Sequence, residues 1–349
     1  MIDIVFVAAL ATVLTAILAW GIRTLPAERW QMIAAVPLSK NGDGEWRSLN
    51  LTYYGFFSAT ASTFGAAMGI VLLSSVGTPL PVIAGLLVAV LAICLPASRL
   101  VAWLIEGKRN TFTIAGPAFL GAVILPPGLW LMQRALLSWF DVHIWMLPIL
   151  AAVAVVYALS EALGRMACLS FGCCYGKPLR ETSPRVGRVF VHFPTVFHGV
   201  TKKAAYASDL AEEPLIPVQA VTAIIFTLTG LIGLAFFLAG FWRLAGIVPA
   251  LGAWGWRAVS ENLRADYRGE QRTSAYQIMA VIAMAYTAIA LLVIPNDGPL
   301  PNLAAGLTQV ASASVILSLQ ALWVVLFLYY GRSRVTGSVV SFHVVTERV

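Results

Sequence analysis

Ile144-Trp145-Met146-Leu147-Pro148-Ile149-Leu150-Ala151-Ala152-Val153-Ala154-Val155-Val156-Tyr157-Ala158-Leu159 opens an apolar run that extends to about residue 165. A bilayer core about 30 Å thick needs roughly 20 consecutive apolar residues per helix, and this run is long enough to span it. Comparable runs lie near residues 3–22, 52–76, 80–105, 112–135, 217–240, 243–259, 274–294 and 307–330. The composition agrees: the 349 residues are 59% hydrophobic and 11% charged, with a mean hydropathy of +0.83. A soluble domain carries about 25% charged residues, so a water-soluble protein is excluded. The expected fold class is all-α, a polytopic membrane helix bundle with about seven core helices and one extra at each end. The run at 243–259 is short and ends in polar residues, which suits a helix that stops inside the bundle. The first run begins Met1-Ile2-Asp3 without a basic leader, and no small-residue cleavage site follows it, so it reads as a retained helix.

Two polar stretches interrupt the apolar runs. Residues 23–51 read as an interfacial segment, with Trp20, Trp30 and Trp46 at headgroup depth. Residues 171–214 read as an extramembrane loop with some structure of its own. The chain divides into 1–50 (extra helix and interfacial segment), 51–295 (core) and 296–349 (extra helix and basic tail). The charges are unbalanced, 23 Lys and Arg against 16 Asp and Glu, net +7. If the helices alternate in direction, every basic residue except Arg134 and Arg243 falls on one side of the membrane. The positive-inside rule makes that side cytoplasmic, with the N-terminus outside and the C-terminus inside. The excess therefore reads as a topology signal and a headgroup site, with no nucleic-acid partner.

The chemistry concentrates in two places. The first is Gly164-Arg165-Met166-Ala167-Cys168-Leu169-Ser170-Phe171-Gly172-Cys173-Cys174-Tyr175-Gly176-Lys177-Pro178, read as the end of the fifth helix. Its glycines let backbone turn tightly and approach a ligand. The planar fork of Arg165 suits bidentate contact with a phosphate; the plainer reading is an arginine snorkelling to the interface. The thiols of Cys168, Cys173 and Cys174 read as small buried hydrophobes at a tight turn, with redox or metal chemistry as the alternative. No second Cys or His pair at zinc-site spacing follows, so neither metal nor cofactor is expected. The second place is Arg257, Glu261, Arg264 and Arg268, spaced by four, three and four, which on a helix share one narrow face. That stripe suits an anionic headgroup held by two arginines, with Glu261 orienting one of them; a solvated helix end with an Arg–Glu ladder is the plainer reading. Asp266 lies off that face, and Ser274 and Gln277 enter the next helix as polar side chains able to line a cavity.

These residues carry a resemblance. Leu51-Thr52-Tyr53-Tyr54-Gly55, Ile105-Glu106-Gly107 with Ala115-Gly116-Pro117-Ala118, Gly164-Arg165 through Gly176, Ile216-Pro217-Val218-Gln219, and Arg257 to Gln277 occur in the order of landmarks of the prolipoprotein diacylglyceryl transferases. The chain resembles that family over about residues 50–295. The resemblance implies a transferase of the bacterial cytoplasmic membrane that moves diacylglycerol from phosphatidylglycerol to a nucleophile such as the cysteine of a lipoprotein precursor. It implies phosphate binding by Arg165 and Arg264, and substrate contacts at Gly164, Gly172, Tyr175, Gly176, Gln219, Arg257, Arg268 and Gln277.

The departures fall on acid–base groups. Ala115 or a neighbour stands where the family has a histidine, and Cys168, Phe171 and Cys173 replace two asparagines and a glutamate. The base is then sought in His192, His198 or Glu261, or in a thiolate of Cys173 or Cys174 beside Arg165. The family's site opens extracytoplasmically, whereas the charge count puts the matching loops in the cytoplasm. Two further readings stand beside the enzyme: a non-catalytic phospholipid-binding or lipid-translocating protein that keeps the arginine site, and a thiol-redox or metal protein centred on the cysteines.

Overall fold

The computed structural model describes residues 2–107, 115–267 and 273–349. The expected contact at Arg268 lies outside them. The helices are α1 (Ile2–Thr24), α2 (Tyr53–Ser75), α3 (Leu80–Glu106), α4 (Ala115–Phe140), α5 (Met146–Phe171), the short α6 (Pro184–Phe190) and α7 (Lys203–Ser208), α8 (Val218–Leu238), α9 (Trp242–Ser260), α10 (Ala275–Val293), α11 (Leu303–Val310) and α12 (Ala313–Gly331). Among the described residues, eight are long and apolar enough to cross a membrane: α1, α2, α3, α4, α5, α8, α10 and α12. The chain is a polytopic membrane helix bundle. Helix α9 has 19 residues, about 28 Å at 1.5 Å per residue, but it is not among these apolar helices.

The central helix is α5, flanked by α2, α8 and α9. In their most apolar stretches 67% of α5 is buried, against 11% of α1, α3 and α12. The outer helices present Ile4, Val88, Leu104, Leu131, Leu317 and Val325 to their surroundings, as lipid-facing helices must. Because lipid is as apolar as leucine, helices associate through close packing. At Gly306 a Cβ would lie 2.1 Å from the Val71 carbonyl oxygen, and at Gly55 it would lie 2.1 Å from the Cα of Gly331. Backbones of α11 and α12 thus touch α2 directly. Gly306→Ala is expected to destabilise the bundle by about 1–3 kcal/mol. An unchanged thermal unfolding midpoint in detergent would contradict this contact.

Several expectations need correction. The run at 307–330 is broken: α11 ends at Val310 and α12 begins at Ala313, with Ser312 between them as N-cap. The stretch 23–51 contains two strands, β1 (Met32–Lys40) and β2 (Trp46–Thr52), and a third, β3 (Ser338–Val340), joins from beyond α12. They form one antiparallel sheet in the order β1-β2-β3. Asn50 secures the tail, donating to Thr336 Oγ1 at 3.1 Å and accepting from Ser338 Oγ at 2.5 Å. The helix carrying Arg165 does not stop there but continues to Phe171. It ends at Gly172, whose φ of 72° is left-handed and whose N–H donates to the Cys168 carbonyl at 2.8 Å, a glycine helix stop. The stripe from Arg257 to Arg268 is not one helical face, because α9 ends at Ser260 and Arg264 is extended.

The polar loop does have structure of its own. A buried cluster of Tyr175, Phe197, Ala204, Leu210 and Leu215 holds it together. Lys202, fully buried, donates to the carbonyls of Ser170 at 2.6 Å and Leu25 at 3.2 Å. It therefore places a cation at the C-terminal ends of α5 and α1, where helix dipoles favour one. Burial pulls its ammonium down to about 8. Sheet, loop and the ends of α1, α5 and α9 all lie at the bundle end that carries the basic residues.

Candidate functional site

Arg165 and Glu161 sit one turn apart on α5, both buried, and form an ion pair through Arg165 Nη2 and Glu161 Oε1. The same carboxylate oxygen lies 3.3 Å from Nη2 of Arg257 on α9, which also donates to Tyr157 Oη at 2.7 Å. One acid thus holds two buried arginines together. Nothing in the apolar run around Glu161 drew attention to it, because its meaning depends on a partner 96 residues away.

Arg264 reaches the same place from the loop side. Lys177 N donates to Leu263 O at 2.9 Å and Ala265 N to Tyr175 O at 3.1 Å, which lays residues 263–265 along residues 175–177 as a short bridge between Gly176 and Arg264. Gly176 is required there, since a Cβ would stand 2.3 Å from Ile216 O. Arg264 donates to both oxygens of Asp266, from Nε at 2.7 Å and Nη2 at 2.8 Å, and Glu261 Oε1 is 3.7 Å from Nη1. Burial pushes the Asp266 carboxyl up to about 6, against the pull of Arg264.

Between these groups runs a narrow, partly open cleft with an enclosed volume of about 10 Å³, lined by Arg165, Arg257, Arg264, Gln219, Thr222 and Cys174 with Val218, Phe226, Trp256 and Ser260. Three buried atoms of its lining have no hydrogen-bond partner: Nε of Arg165, Nε of Arg257 and Oε1 of Gln219. The first two are donors and the third an acceptor. Buried polar groups are rarely left so, and all three belong to residues that line the cleft. The Gln219 amide is otherwise fixed, donating from Nε2 to Cys173 O at 2.8 Å. Trp256 Nε1 donates to Thr222 Oγ1 at 2.8 Å.

Of the expected site residues, the structure brings Arg165, Arg257, Arg264, Gln219 and Cys174 to this cleft, with Glu261 behind Arg264. Others lie elsewhere. Gln277 caps α10 in a reciprocal box with Ser274 and donates to Ala258 O and Asn262 Oδ1, both at 3.1 Å. Tyr175 is buried in the loop core with its hydroxyl 2.5 Å from Ser208 Oγ. Gly164 faces α2, where an added Cβ would meet Ala61 Cβ at 3.7 Å, and Gly172 is the helix stop. His192 is exposed, and His198 is exposed with Nδ1 2.6 Å from Glu212 Oε2. Neither histidine lines the cleft, so the geometry does not place them as bases. Asp266, set aside because a continuous helix turned it away, is the closest partner of Arg264.

Cys174 borders the cleft beside Cys168 and Cys173. Hydrogen bonds from the Cys168 and Cys173 thiols, with Arg264 and Arg165 nearby, pull the Cys174 thiol well down. Comparison with protein-family models, with characterised proteins and with solved structures finds no match for this chain.

Proposed function

We infer that the cleft binds the headgroup of an anionic glycerophospholipid, phosphatidylglycerol in the leading reading, and that the protein transfers its diacylglyceryl group to a nucleophilic acceptor. The observation that carries this is the set of unpartnered atoms. Two guanidinium donors suit phosphate oxygens, while the Gln219 acceptor suits a hydroxyl donor. A phosphate esterified with glycerol supplies both. The position of the cleft at the interfacial end of a membrane bundle, and the resemblance described above, support the same ligand.

In the transfer, the acceptor's thiolate attacks the glycerol carbon that bears the phosphate. A carbon–sulfur bond forms, the carbon–oxygen bond breaks, and glycerol phosphate leaves with the electron pair. The phosphate carries one negative charge before this step and two after it. Fixed arginines therefore bind the transition state more tightly than the substrate, which lowers the barrier. Arg165, Arg257 and Arg264 take that role. Incubation of purified protein with labelled phosphatidylglycerol and membrane extract tests the donor; no turnover of that lipid under any acceptor supply counts against the transferase.

A second reading is favoured by a specific observation: among the described residues the lining includes no histidine, and Glu161, Glu261 and Asp266 are all committed to arginines. The protein would then bind or translocate the lipid without reacting it, and labelled lipid would be retained but unchanged. Acceptor identity turns on topology. The positive-inside rule places the cleft at the cytoplasmic end, where a translocated lipoprotein precursor cannot reach it. An accessibility tag in the 171–214 loop decides this: labelling from the outside restores the lipoprotein acceptor.

The Asp266 carboxyl gives this site a pH signature. It is charged above about 6 and neutral below, and while charged it competes with the ligand for Arg264. Anionic lipid affinity is expected to rise as pH falls through about 6, and Asp266→Asn to bind more tightly at pH 7 with that dependence removed. Equal pH profiles for the two proteins, read by lipid-binding titration, would exclude the competition.

A further inference from the structure

We propose that Cys168, Cys173 and Cys174 form a thiolate site for one soft metal ion of the zinc or copper(I) class, with a remaining coordination position turned toward the arginine cleft. The three sulfurs all lie within 4.8 Å of one another, and Cys168 Sγ is 3.9 Å from Cys174 Sγ. Metal–sulfur bonds of about 2.3 Å hold neighbouring sulfurs about 3.8–4.0 Å apart in tetrahedral or trigonal geometry. A disulfide would need about 2.05 Å. The Cys168–Cys174 separation matches that spacing, and it is too long for a disulfide. Thiolates select soft ions over magnesium or calcium.

The backbone is shaped for this convergence. Cys174 has a φ of 59°, a left-handed conformation that costs a residue with a Cβ of order 1–2 kcal/mol. It is held by its surroundings: Cys173 N donates to the Cys168 carbonyl at 3.2 Å, and the Cys173 carbonyl accepts from Gln219. This turn brings two successive cysteines back toward a third, Cys168.

Charge complements the arrangement. Three thiolates around a monovalent or divalent ion carry a net negative charge. Arg165 Nη1 lies 3.8 Å from Cys168 Sγ, and Arg165, Arg264 and Cys174 line one cleft. Cys168 and Cys173 are buried while Cys174 borders the opening, so the ion would be closed on one side and reachable on the other.

The test uses the full chain in detergent, reduced, stripped with a chelator and titrated with zinc alone or copper(I) alone. Bound metal is read by elemental analysis after gel filtration. The expected result is about one ion per chain, by the three-ligand rule for open sites, lost in the triple variant Cys168→Ser/Cys173→Ser/Cys174→Ser and retained in Cys94→Ser. A second measurement avoids reliance on the triple variant's folding. In the wild-type protein, zinc should block alkylation of Cys174, the thiol at the opening, and leave Cys94 unaffected, as read by mass spectrometry. No uptake by folded wild-type protein, uptake that persists without the three thiols, or alkylation indifferent to metal would each overturn the proposal. The readout involves no lipid, so its failure leaves the headgroup reading where it stands.

Discussion

Glu161→Ala is expected to remove about 3–5 kcal/mol of stability, the size of effect seen when one member of a buried ion pair is deleted. A membrane bundle of ordinary stability, roughly 5–15 kcal/mol, does not tolerate that loss well. Most of the variant should be missing from the folded peak on gel filtration in detergent. The cause is specific. Arg165 and Arg257 are both buried, and Glu161 is the carboxylate that both of them contact. Without it two like charges face each other in a poorly solvated site. Glu161→Gln keeps a hydrogen-bond acceptor of the same shape and should lose less. The triple variant Glu161→Leu/Arg165→Leu/Arg257→Leu should regain stability, since buried ionic groups are often replaceable by packed apolar ones, while losing lipid binding. A Glu161→Ala protein as stable as the parent would mean that the two arginines are solvated.

Arg264→Ala is expected to act on turnover instead, lowering the rate with labelled phosphatidylglycerol by about 10²–10³, as loss of one preorganised donor to developing charge does elsewhere. The fold should survive for a reason visible in the site. The partner left behind is Asp266, whose carboxyl already sits near 6 through burial. Deprived of Arg264 it protonates, and Glu261, the second carboxylate near Arg264, keeps a hydrogen bond from Ser274 Oγ at 3.1 Å. Arg264→Lys keeps the charge but not the planar fork that meets Asp266 with two bonds, and should recover only part of the rate. Unchanged turnover in Arg264→Ala would sink the phosphate-clamp reading.

The spans were legible because twenty apolar residues in a row have few soluble explanations, and the ends of α2, α5 and α8 fall within a few residues of the runs, apart from the six residues that extend α5 past Arg165. The gathering of basic residues at one end was legible for the same reason: alternation of helices turns a linear sequence into two faces. What failed were inferences that depended on continuing a period. Arg257, Glu261, Arg264 and Arg268 keep helical spacing past the point where the helix stops, because residues 263–265 gain backbone hydrogen bonds to 175–177 that periodicity does not encode. The third strand of the sheet was not legible because it comes from beyond α12, whereas β1 and β2 flank Asn41-Gly42-Asp43-Gly44, a hairpin-turn signal. Glu161 was hidden inside a span, and only the register between α5 and α9 shows what it does. His192 and His198 were chosen for their chemistry alone, and the loop that carries them packs with both rings outward.

Asn50 and Ser338, hydrogen-bonded to each other across the sheet, are 288 positions apart. During synthesis β1 and β2 can pair as soon as both have emerged, but their outer edge must wait until α12 has been inserted and the segment behind it released. For that whole interval the edge of β2 is open at the mouth of the bundle, able to pair with any passing extended chain. Assembly of this end therefore has a built-in order, in which the residues that guard the edge of the sheet arrive only after α12.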